Sequence, residues 1–412
     1  MVKPGYKQTE IGVIPHNWTI KYLSDFGRVQ SGGTPSTSSP DYWDGDIPWC
    51  TPSDITRAPT KYINSTERTI TEAGLNNSSA IVMPAGSILL CTRATIGELK
   101  INSIPMATNQ GFKNIAIGDN GNAEFFYYLL QTKKNSMLEL AIGSTFLEIS
   151  KTALCKIPLQ IPTRDEQNRI AEALSTIDEL ITILEKQISK KAVTKQGAMQ
   201  ELLTGKKRLP GFSGEWTAHR LSDLGAFIKG SGISRAESNT GRIPAVRYGE
   251  LYTTHQNYVT HFVSHISKEV ATKAKQVYKG DILFAASGET KEEIGKCAAI
   301  IDDNIVYAGG DILILRPHEP HNPVFMGTLL NTAEVCRQRA EKGQGDAVVH
   351  IHADSLGSIK IKIPEIKEQD AIAEILLGMD KEIEMLEMKL EKYRQLKQGM
   401  MQQLLTGKIR LV

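Results

Sequence analysis

The sequence predicts an α+β protein. Two similar mixed α/β globular domains are joined by two long antiparallel coiled-coil helices, and the halves are related by an approximate, circular two-fold symmetry. Three observations predict this. The segment QELLTGKKRL (200–209) returns as QQLLTGKIRL (402–411), with eight of ten residues the same. Sliding the chain by 202 positions extends the match far back from this segment. Within the repeated stretch the apolar residues keep a heptad spacing, while the sequence before each copy reads as short strands.

A chain of 412 residues exceeds a typical single core, so more than one domain is expected. At the 202 offset, Glu166-Gln167 meets Glu368-Gln369, Ile170-Ala171-Glu172 meets Ile372-Ala373-Glu374, and Lys195-Gln196-Gly197 meets Lys397-Gln398-Gly399. Identity this dense without a gap marks an internal repeat. The globular parts repeat more loosely: WTIKYLSDFG (18–27) matches WTAHRLSDLG (216–225), and GSILL (86–90) matches GDILF (280–284). The domains are placed at 1–160 and 209–362. The helical segments are placed at 161–208 and 363–412.

The first domain's strand-like runs are AGSILLCT and KNIAIG; the second's are GDILFAA and DILILRP. Residues 122–140 and 322–340 read as helical. In the first repeated segment, Ile170, Leu174, Ile177, Ile181, Leu184 and Ile188 are spaced 4, 3, 4, 3, 4; the second copy keeps the seam with Ile372, Leu376, Met379, Ile383, Leu386, Leu390 and Tyr393. Pro162 and Pro364 precede the segments, and Gly205 and Gly407 follow them. Forty residues at 1.5 Å each make a rod of roughly 60 Å. A narrow apolar seam needs a partner, and an approximate two-fold axis runs the two rods antiparallel. Gly197 and Gly399, kept at equivalent helical positions, suggest a close backbone approach or a bend, since a mid-helix Gly costs about 1 kcal/mol relative to Ala.

With 41% hydrophobic and 23% charged residues, the composition is that of a soluble globular protein. No apolar run approaches a membrane span, and MVKPGYKQTE has no apolar signal core. Five scattered cysteines without a CxxC pair favour neither a disulfide framework nor a zinc site, so a reduced cytoplasm is expected. A net charge of +2 gives no overall sign of nucleic-acid binding, so any such role needs locally placed basic groups.

Catalytic motifs are sparse. Asn322-Pro323-Val324-Phe325 lacks the second Pro of an amino-methyltransferase loop, and no Gly-rich cofactor loop accompanies it. KGSGIS (229–234) is not GxGxxG, and GETKEEIGKC (288–297) fails the P-loop spacing. Asp41, Glu98 and Lys100 are too scattered for a nuclease site. His261 with His265, and His350 with His352, lack a third metal ligand. The chain reads as a binding or targeting protein.

IPLQIPTRDEQNRIAEAL, LTGKKRLPGF and IPEIKEQDAIAEIL resemble the specificity subunit of type I restriction–modification systems. VQSGGTPSTSSPDYWDGDIPWCTPSDI and ATNQGFKNI are similar to that family's target-recognition motifs. The resemblance covers essentially the whole chain. It implies two target-recognition domains, each reading one half of a split double-stranded DNA site, and helices that set the spacing. It also implies two modification subunits docked on this chain, and restriction subunits that join them. S-adenosylmethionine, ATP and Mg are then expected in those partners, with no cofactor, metal or catalytic residue here. A self-sufficient DNA-modifying enzyme with divergent motifs and a non-DNA assembly scaffold stay open as alternatives.

The candidate DNA-binding residues follow from chemistry: Arg suits guanine, and Asn or Gln suits adenine, in the major groove. In the first domain they are Ser36, Thr37, Arg57, Arg93, Asn109, Gln110 and Lys113. In the second they are Arg235, Arg247, Ser287, Thr290, Lys291 and His350. Gly32, Gly33, Gly309 and Gly310 are expected to serve turns. SGGTPSTSSPDYWDGDIPW and KGSGISRAESNTGRIPAVR align only around Ile47-Pro48 and Ile243-Pro244, so the two readers, and the site they read, are expected to differ.

Overall fold

The computed structural model describes residues 3–143, 147–345 and 348–411. They form two compact units, Met1–Gln187 with Glu387–Val412, and Ile188–Leu386. Each unit combines one globular domain with the start of one long helix and the end of the other.

The first unit is built on a five-stranded sheet. Its order is Gly27–Ser31, Phe112–Ile117, Ile88–Cys91, Leu99–Asn102, Tyr62–Ile63, with only the last pair parallel. Ile88–Cys91 is buried along its whole length, which explains its continuous apolar run. A smaller sheet orders Ala107–Thr108, Trp43–Cys50 and Arg68–Ile70. The second unit repeats this plan. Gly225–Lys229, Ile312–Pro317, Ile282–Ala285, Cys297–Ile300 and Tyr258–Val259 form the five-stranded sheet, again with only the last pair parallel. Its smaller sheet gains a strand, Lys275–Val277.

Residues 122–140 form two helices, Ala123–Gln131 and Lys134–Glu139. Residues 322–340 likewise divide into Pro323–Leu330 and Ala333–Lys342. Asn122 and Asn322 start them: each Oδ1 accepts a backbone N–H, from Phe125 and Phe325, at 3.0 Å. The Asn-Pro-Val-Phe string is thus a helix cap.

The long helices run Arg164–Leu202 and Ile366–Leu404. In the first unit Lys397 pairs with Asp178 at 2.6 Å and Arg394 with Glu185 at 2.8 Å, so the two helical segments run antiparallel. In the second unit Lys191 with Glu382, and Lys195 with Asp380, show the same sense. Only part of each predicted seam is buried: Ile170, Leu174, Ile177 and Leu184 in the first copy, and Ile372, Leu376 and Leu390 in the second. Nothing lies within 4 Å of a Cβ built at Gly197 or Gly399, so neither marks the expected close backbone approach.

The repeated LLTGK segments enter the cores. Leu404 and Leu405 join Trp18, Ile170 and Leu174 in the first unit; Leu202 and Leu203 join Ile372 and Leu376 in the second. Gly205 and Gly407 end the helices with φ +68° and +70°, a left-handed conformation that disfavours a side chain. Arg410 then grips Glu166 at 2.5 and 2.7 Å, and Arg208 grips Glu368 at 2.7 Å through both Nε and Nη2.

Candidate nucleic-acid interface

In the first unit a close backbone crossing brings two loops together. A Cβ on Gly32 would lie 2.0 Å from the Asn109 carbonyl oxygen, and one on Gly33 would lie 2.2 Å from the Ser79 backbone. These glycines, expected to serve turns, instead permit close approach. The Gly33 N–H donates to the Thr108 carbonyl at 2.9 Å. Thr34 is thereby placed to donate its hydroxyl to Gln110 Oε1. Asn109 Oδ1 accepts the Gly111 N–H at 2.9 Å and holds that turn. The Trp49 and Trp43 indoles donate to the Gly33 and Ser36 carbonyls at 2.9 and 3.1 Å, while Ser36 and Thr37 stay exposed.

The structure therefore gathers Ser36, Asn109 and Gln110 around one loop pair. Two other candidates are engaged in ion pairs. Lys113 is only 6% exposed and lies 3.3 Å from Glu148, because its strand sits inside the five-stranded sheet. Arg57 is exposed but pairs with Glu67 at 2.5 Å at the rim of a cleft of about 370 Å³.

Arg93 forms an isolated antiparallel bridge with Glu148. The second unit places Ser287 against His350 in the equivalent strand pairing, with Ser287 Oγ and His350 Nδ1 at 3.0 Å. The same backbone juncture thus carries unlike side chains. Glu148 was missed in the sequence, although the 202 offset aligns it with His350.

In the second unit Arg235 and Arg247 line one cleft of about 400 Å³, with Ser234, Tyr248, Gly309 and Gly310. Arg247 sits at the N-cap of helix Tyr248–Thr253, where its N–H donates to Glu250 at 3.3 Å. Burial opposes the charge on Glu250. The nearby His255 imidazole, whose Nε2 lies 3.8 Å from the carboxylate, and hydrogen bonds from the Ser264 hydroxyl and the Arg247 N–H outweigh it and hold the carboxyl below its usual range.

Tyr248 also borders a neighbouring cleft of about 520 Å³, lined by Tyr252, Ser287, Gly288, Glu289 and Glu293. The Tyr252 hydroxyl donates to the Ser287 carbonyl at 3.0 Å. Burial, with help from Glu293 and Tyr248 and against Arg339, pushes it up to about 12, so it stays a donor at neutral pH. Thr290 and Lys291 are exposed in the loop that makes this domain's hairpin longer. Tyr248 and Tyr252 were not legible as site residues, because aromatic residues in a short helix read first as core. His265 lies in strand Ser264–Ile266.

Two stretches, residues 15–192 and 213–393, match the family described as type I restriction modification DNA specificity domain. The chain belongs to this family. Among its relatives is the type I restriction enzyme MjaIX specificity subunit of Methanocaldococcus jannaschii, 33% identical over 70% of each chain. The MjaVIII specificity subunit of the same organism is 23% identical over 97% of this chain and 94% of its own. The fold is similar to the crystal structure of a type I restriction–modification S subunit from M. genitalium. That likeness has a TM-score of 0.60 at 15% identity, over 94% of this chain and 96% of that one. The family match covers both copies of the repeat, so the two clefted domains are two instances of one specificity module.

Proposed function

We propose that this chain is the non-catalytic DNA-specificity subunit of a type I restriction–modification complex, reading an asymmetric bipartite site with one recognition domain per half. The observation that carries this reading is a repeated backbone bearing unmatched side chains. Equivalent junctures hold Arg93 with Glu148 in one unit and Ser287 with His350 in the other. Equivalent loops present Asn109 and Gln110 in one and Gly309 and Gly310 in the other, where Arg235 and Arg247 supply the polar groups. Base edges distinguish such groups, whereas phosphates do not. A matched scaffold with unmatched readers fits a target whose halves differ.

In this proposal the long helices set the spacer and dock two modification subunits. Restriction subunits join that assembly. S-adenosylmethionine, ATP and Mg act in those partners, in the cytoplasm. No helix among the described residues is long and apolar enough to cross a membrane.

Purified chain is expected to transfer no methyl group to DNA. Adding its cognate modification subunits should produce methylation confined to one bipartite sequence, read by methylation-sensitive sequencing. Methyl transfer by the chain alone would sink the proposal, as would methylation lacking two separated half-sites.

A further inference from the structure

Each unit contains a three-way contact among its domain and both helical segments. In the first unit Asp178, on the helix Arg164–Leu202, lies 2.6 Å from Lys397 on the helix Ile366–Leu404 and accepts the Tyr128 hydroxyl at 2.6 Å. In the second unit Asp380 pairs with Lys195 and accepts the Tyr258 hydroxyl at 2.5 Å. All four charged side chains are at most one-third exposed, so these bonds are partly shielded from water.

The origins of these groups differ. Asp178 and Asp380, like Lys195 and Lys397, are 202 positions apart, so duplication alone explains the ion pairs. It does not explain the tyrosines. Tyr128 lies on helix Ala123–Gln131, where the second unit has Thr328 bonded within its own helix to the Val324 carbonyl. Tyr258 lies on an edge strand, where the first unit has Tyr62, whose hydroxyl goes to Glu124. Two non-equivalent elements of two divergent domains reach repeat-equivalent carboxylates with the same chemistry. Inheritance would have kept the element; what is kept is the contact.

We propose that the two Asp–Lys–Tyr clusters are positioning sites that fix the angle of each recognition domain on its helical segment, and so the spacer length at which both half-sites are accepted. This rests on the bipartite-reading proposal. The tyrosines act not on a base but through the pose of the domain that reads it. A phenolic bond to a carboxylate resists tilt because the aromatic ring is rigid and the acceptor is itself held by the lysine.

The test uses the chain assembled with its modification subunits. Methylation rates are measured on duplexes with native half-sites and spacers of native length, one base pair shorter and one longer. Tyr128→Phe and Tyr258→Phe, which keep the packed ring, should each lower the preference for the native spacer about tenfold, the scale of a lost hydrogen bond to a charged group. Asp178→Asn should lower it at least as far, and half-site sequences should stay the same. An unchanged spacer preference in folded Tyr→Phe variants, checked by thermal unfolding, overturns the proposal. So does a proportional fall on all three spacers, which marks a purely structural role. If the unaltered complex shows no spacer-dependent bipartite methylation, the underlying reading fails, a result distinct from a variant effect.

Discussion

Two buried carboxylates anchor the ends of the repeat. Glu166 and Glu368 are 2% and 1% exposed, and each accepts a bidentate arginine and a tryptophan indole. Their neighbours Gln167 and Gln369 accept the Asn122 and Asn322 N–H groups at 3.0 Å. The doubled Glu-Gln pair was plain in the sequence, but its partners lie far away along the chain and could not be read there. Arg410→Ala strands the Glu166 charge in the core and should destabilise the first unit by about 3 kcal/mol. That is the low end for a broken buried pair, because the arginine keeps some solvent contact. Urea unfolding followed by tryptophan fluorescence measures it; a loss under 1 kcal/mol would mean that Glu166 finds another donor. His321 gives a pH dependence. Burial holds its imidazole below the usual 6.5, against the Glu319 and Gly280 carbonyls, which favour the charged form. The unfolded chain therefore takes up this proton first as pH falls. Stability of the second unit should drop from about pH 6.5 toward the lowered folded value and level off below it. His321→Gln should remove that slope in hydrogen-exchange measurements, and an unchanged slope would assign it to other groups. Lys113 shows the opposite lesson: its sequence made it a candidate DNA contact, yet central-strand pairing buries it.

At the scale of elements, long periodic signals were legible and local breaks were not. The heptad spacing and the bounding Pro and Gly residues located both long helices closely, because period and punctuation are properties of the chain itself. The apolar strand runs were equally clear. The division of 122–140 and 322–340 into two helices each was hidden, since no Gly or Pro marks the break. The glycines separate by environment. Gly197 and Gly399 have open space where a Cβ would go, so Gly197→Ala and Gly399→Ala should each raise stability by about 1 kcal/mol. Gly33→Ala must push against the Ser79 backbone 2.2 Å away and should disturb the loop pair it joins. Thermal unfolding of the three variants tests the contrast. Destabilisation by either helical substitution would reveal a partner surface that needs the missing side chain.

For the whole molecule, the repeat predicted equivalence of the two halves, and the ion pairs give that equivalence a length. Asp178 and Lys195 are seventeen residues apart on one helix, and so are Asp380 and Lys397 on the other. Each member of one pair finds its partner in the other. An insertion near residue 185 alone lengthens one interval and leaves the other, so Lys195 and Asp380 cannot both keep register with Asp178 and Lys397. A ruler made of two matched helices should therefore tolerate matched insertions better than single ones. Adding one heptad near residue 185 and one near 387 keeps the apolar seam in phase. It adds about 10 Å of helical rise, roughly three base pairs at 3.4 Å each. In complex with its modification subunits, the doubly lengthened chain should methylate the same two half-sites across a longer spacer. The singly lengthened chain should lose most activity at every spacer length. Altered half-site sequences in the double variant would separate the helices from spacing and place them in base recognition. Equal activity of the single and double variants would show that the paired lengths do not act together.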